Sequence, residues 1–74
     1  MKVKIRLDTH NDAVELVGLA TGLDEPVYLK DGSNFCVSAK SLLGTLCARF
    51  DFTEIWLETK NDHYFKFRKF IVEE

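Results

Sequence analysis

Polar and hydrophobic positions alternate without a fault over Lys2-Val3-Lys4-Ile5-Arg6-Leu7, the pattern of a half-buried antiparallel strand. Val3, Ile5 and Leu7 are expected to face a core, and Lys2, Lys4 and Arg6 to face water. Asp8-Thr9-His10-Asn11 breaks the alternation. The period then lengthens: Ala13, Leu16, Val17 and Ala20 fall on one helical face. Asp12 and Glu15 read as a capping box with Asn11 as the rival cap, and Gly22 reads as a left-handed C-cap. A short strand over 27–30, a turn at Asp31-Gly32-Ser33-Asn34 and a returning strand over 35–38 form a hairpin.

A second helical pattern opens at Ser41, with Leu42, Leu43, Leu46, Cys47 and Phe50 as its apolar positions. The spacing groups Leu43, Cys47 and Phe50 toward the sheet and leaves Leu42, with Leu46, outward as candidate docking residues. Gly44 costs a helix about 1 kcal/mol against alanine, which implies a close approach of backbones there. Residues 54–59 read as a strand with Ile55 and Leu57 inward and Trp56 outward. Glu54 and Glu58 would pair with Lys4 and Arg6 if the first and last strands are neighbours. The tail carries two patterns. Tyr64, Phe67 and Ile71 suit a short helix from Asn61 or Asp62, whereas Phe65, Phe67, Lys69 and Ile71 suit one side of a strand; the helix is preferred, as cover for the sheet. The order β-α-β-β-α-β-α predicts an α+β fold, an open-faced β-sandwich: four antiparallel strands with the helices on one face, in a single domain spanning 1–74.

Composition narrows the function. The 74-residue chain has a formal charge of −2, so it lacks the basic footprint of a nucleic-acid or anionic-membrane binder. It contains no apolar run long enough to span a bilayer, and its alternating N-terminus reads as a strand, not as a signal core. Cys36 and Cys47 lack metal-like partners, which suits reduced thiols and a cytoplasmic setting. No cofactor motif and no Ser-His-Asp arrangement is present, so an independent enzyme is not expected. Trp56, Tyr28 and Cys36 are expected on the open sheet face, as cover for it or as a dimer contact. His63, beside Asp62, is expected at the surface.

The element order, the length and the stretch Ala39-Lys40-Ser41-Leu42-Leu43-Gly44, following a hairpin and opening a helix, resemble the HPr family, the histidine phosphocarriers of the bacterial sugar phosphotransferase system. The resemblance implies a phosphoryl-accepting histidine after the first strand, within His-x-Arg-Pro, and His10 stands in that place. It also implies a regulatory phosphorylation site at Ser41, which as a helix N-cap would accept from a backbone N–H two or three residues on. Either the cap alone or the cap together with a phosphosite accounts for the serine. The implied partners are enzyme I and sugar-specific components, or a regulatory protein, docking through Leu42 and Leu46.

The chain departs from that pattern at its centre. His10-Asn11-Asp12-Ala13 has aspartate in place of the arginine and alanine in place of the proline. A phosphohistidine is close to a dianion, stabilised by helix amides and a cation. A carboxylate about 7 Å away, at an effective dielectric of about 20 to 40, opposes it by on the order of 2 to 5 kcal/mol, and Asp8, Asp12 and Glu15 all lie close in sequence. Three functions follow: a regulatory relative with weak or no phosphotransfer, an active carrier using His10, or a small structural or interaction subunit unrelated to phosphotransfer.

Overall fold

The computed structural model describes residues 1–72. Residues 73 and 74, the last two of the expected domain, lie outside the described residues. The elements are β1 (Lys2–Ile5), α1 (His10–Thr21), β2 (Tyr28–Lys30), β3 (Cys36–Ser38), α2 (Leu42–Asp51), β4 (Ile55–Glu58) and α3 (Tyr64–Phe67), which runs into a 3-10 turn over Arg68–Phe70. The strands form one antiparallel sheet in the order β1-β4-β2-β3, and the fold is α+β.

Strand alternation gives the sheet two unlike faces. Val3, Leu57, Leu29 and Val37 stand in register across all four strands and make an apolar row under the helices. Leu57 and Leu29 are fully buried there, against Leu16, Ala20, Ala48, Phe67 and Phe70. The neighbouring row, Lys4, Trp56, Lys30 and Cys36, looks out to solvent. Lys2 lies 5.6 Å from the Trp56 ring centroid, and the indole N–H donates to Glu54 at 3.0 Å, so the open face is covered by lysine stems and a half-buried tryptophan. Glu54 does reach Lys4, at 3.9 Å, but Glu58 pairs with Lys30 on β2 and Arg6 with Asp8.

The helix reading of the tail holds through Phe70, and the strand reading over Phe65, Phe67 and Lys69 does not. Phe67 and Phe70, three apart, are both buried, which requires helical turns. The chain then extends: the Arg6 N–H donates to the Phe70 carbonyl and the Val72 N–H to that of Lys4, both at 2.9 Å, so residues 71–72 lie along the free edge of β1. The turn between β2 and β3 closes on Gly32, at φ +91°, where an added Cβ would strike the Glu54 carboxylate.

Three local expectations are overturned. The cap of α1 is Thr9, one turn before Asp12: its hydroxyl accepts the Asp12 N–H at 3.1 Å, and the Asp12 carboxylate accepts the Thr9 N–H in return. Gly22 ends the helix in right-handed geometry, not as a left-handed cap, with its N–H on the Leu19 carbonyl. Most consequential, α2 is rotated. Its buried residues are Thr45 and Ala48, while Leu43 and Phe50 are each 74% exposed and Cys47 is exposed too. The cause is the close approach expected at Gly44: a Cβ there would stand 3.3 Å from that of Val37. A helix lying so near the sheet has room only for small side chains, so the large ones turn away.

Candidate functional site

Helices α1 and α2 run antiparallel. The Lys40 ammonium, before α2, donates to the Leu23 carbonyl just past α1, and the Arg49 guanidinium near the other end of α2 donates to the Asp8 carbonyl just before α1. His10 and Ser41 therefore sit at opposite ends of the helix pair. Arg49 is eight residues beyond Ser41, about 12 Å along an α-helix. Leu42 (41% exposed) shares the Ser41 end, away from His10, and Leu46 is half-buried. The expected apolar pair beside the start of α1 is not assembled. Instead Leu43, Cys47 and Phe50 form the outward stripe of α2, with the Arg49 guanidinium 5.0 Å from the Phe50 ring centroid.

His10 is the first residue of α1, exposed, with the turn that precedes it tied down on every side. Each carboxylate near it is engaged. The Arg6 guanidinium donates to both oxygens of Asp8, at 2.9 and 3.2 Å. One oxygen of Asp12 accepts the N–H groups of Asp8 and Thr9. Glu15 is bound by Lys69, whose ammonium is held above its usual pKa first by that hydrogen bond. Three cations, Arg6, Arg49 and Lys69, thus come to this corner from the segment after β1, from α2 and from the 3-10 turn, and the local repulsion on a phosphorylated His10 is smaller than the sequence implies. Arg6 is local to the loop, but Arg49 and Lys69 arrive from elements far along the chain and could not be foreseen from its local pattern.

Ser41 caps α2 as its pattern predicts. It has extended backbone (φ −99°, ψ 120°), and its hydroxyl accepts the Gly44 N–H at 3.0 Å.

A second polar cluster lies elsewhere, on Glu25, in the link between α1 and β2. Its carboxylate accepts the N–H groups of Lys60 and Asn61 at 2.7 and 3.1 Å and the Asn61 side-chain amide, with His63 Nε2 at 3.2 Å. Those donors, the two from Asn61 foremost, hold Glu25 at a pKa of about 2 against an ordinary 4.5. His63 is accordingly half-buried instead of lying at the surface, its side chain 22% exposed. The cluster pins the β4–α3 loop to the α1–β2 link and is structural.

Among the described residues no group of three or more His, Cys, Asp or Glu side chains is placed to hold a metal ion, and no helix is long and apolar enough to cross a membrane. Comparison of the chain with protein-family models, with curated proteins and with solved structures gives no match.

Proposed function

We propose that the chain is an HPr-like regulatory protein of the sugar phosphotransferase system that has kept the scaffold and lost efficient phosphoryl transfer. The order of elements over one antiparallel sheet supports it, as does a capping serine at the head of α2 and an exposed histidine at the head of α1. One observation carries the loss of transfer. Asp12, standing where the resemblance calls for an arginine, is built into the start of α1 through the N–H groups of Asp8 and Thr9. That position supplies a fixed negative charge to the place where phosphoryl oxygens need a cation. Its partners would be enzyme I, sugar-specific components or a regulatory protein, in a cytoplasmic setting.

The second reading, an active carrier, draws on the pairing of Asp8 with Arg6 and Glu15 with Lys69, which lifts part of the repulsion. One experiment separates the two. Purified protein is incubated with enzyme I and phosphoenolpyruvate, and acid-labile phosphate is read by intact mass, with His10→Ala as control. The regulatory reading expects little or no label. Near-stoichiometric label that His10→Ala abolishes would make the protein a working carrier. Restoring the cation by Asp12→Arg also removes the capping box, so its helix content must be checked before a failure to label counts.

A further inference from the structure

The outward stripe of α2 is the feature that the phosphotransfer reading does not use. Leu43, Cys47 and Phe50 recur at i, i+4 and i+7, so they line one side of the helix over two turns. Leu43 and Phe50 are 74% exposed, and the stripe continues into Phe35 of the hairpin, 68% exposed. Between hairpin and helix, Phe35, Cys36, Val37, Cys47 and Phe52 line a shallow cleft together with Asp31 and Asp51. From the geometry we infer that this surface pairs with a second copy of the same chain, α2 against α2 in antiparallel sense about a two-fold axis.

Three features of the chain favour that occupant. The first is spacing. With Cys47 on the axis, Leu43 meets the partner's Phe50 and Phe50 meets the partner's Leu43, so the one large apolar contact is made twice by one operation.

The second is charge. Asp51 ends α2, where its own helix dipole disfavours a carboxylate. Antiparallel pairing brings Asp51 to the first turn of the partner's helix, where the dipole favours a carboxylate. The same pairing sets the two helix dipoles head to tail. A parallel arrangement would set Asp51 against its own copy.

The third is area. A whole aromatic side chain offers ~150–250 Å². At the exposures found, Phe35, Phe50, Leu42, Leu43 and Cys47 together give roughly 500 Å² per subunit, so a pair covers about 1,000 Å², the low end for a specific interface. The result is a weak, concentration-dependent dimer.

Cys36 borders the same cleft as Cys47, so the two thiols must be told apart by substitution. Cys36 pairs with Lys30 on the edge strand β3, whereas Cys47 belongs to the outward stripe of α2. In the paired arrangement Cys47, on the axis, faces the partner's Cys47.

Sedimentation across ~10 μM to ~1 mM reads the association, and Leu43→Asp and Phe50→Asp should each weaken it at least tenfold. Both positions are exposed, so both variants should keep the native circular dichroism. Independently, diamide, a diazene oxidant, takes two electrons and two protons from a facing pair of thiols, leaving one disulfide and the hydrazine. Covalent dimer should form in wild type and in Cys36→Ser, and not in Cys47→Ser. A chain that stays monomeric throughout overturns the inference and leaves the stripe to a different protein. So does a dimer unaffected by Leu43→Asp and Phe50→Asp, or one cross-linked through Cys36. None of these readouts depends on phosphotransfer, so the inference and the proposed function fail separately.

Discussion

Replacing Ser41 with alanine tests the N-terminal cap of α2 and, with it, the best-supported local element of the candidate site. The hydroxyl accepts one backbone N–H, from Gly44 at 3.0 Å. Losing that acceptor leaves one more orphan donor at the helix start, and such caps are worth about 0.5 to 2 kcal/mol. The alternative acceptor is water, since Ser41 is exposed, so the expected cost is near the middle of that range, about 1 kcal/mol. In a domain of this size, that lowers the melting midpoint by about 4 to 8 °C. Ser41→Asp should leave the midpoint unchanged or raise it slightly, because aspartate caps as well and its charge suits the N-terminal dipole. Thermal unfolding by far-ultraviolet circular dichroism reads both variants. A drop of under about 1 °C for alanine, or equal damage from alanine and aspartate, would refute the cap as an energetic element. A phosphate on Ser41 would meet the same amides, and incubation with the HPr serine kinase and ATP, followed by intact mass, tests that regulatory role.

Ile5, 3% exposed between β4 and the Ile71 bridge, should cost roughly 2 to 5 kcal/mol on truncation to alanine, read as a shifted denaturation midpoint. Thr45 is fully buried and its hydroxyl has no hydrogen-bond partner among the described residues, so Thr45→Val should stabilise by about 1 kcal/mol; a loss would reveal a partner for that oxygen. Glu25 gives a pH dependence. Its folded pKa, about 2, lies below the ordinary 4.5, so its contribution is complete above pH 4.5 and is lost as pH falls toward 2. Unfolding free energy measured over that window should fall less steeply in Glu25→Gln than in wild type, and equal slopes would remove Glu25 from the account.

Local pattern decided much of this protein. Alternation named the inward residues Ile5, Leu7, Ile55 and Leu57, and serine before a leucine run named the start of α2. These are effects of neighbours within a few residues, carried by side-chain period and by the orphan amides of a helix end. The glycine at 44 also announced a close approach. What the pattern could not decide was which side of α2 the approach would take up. Apolar residues outnumber the places beneath that helix, and contact with Val37 admits Thr45 and Ala48 while excluding Leu43, Cys47 and Phe50. Hydrophobic spacing assumes that the largest apolar side chains claim the core, and close packing overrules it where the gap is narrow. The surroundings of His10 follow the same logic. Three nearby carboxylates are legible along the chain, but Arg49 and Lys69 reach that corner only once α2 and the tail have packed, because charge acts through space and not along the sequence.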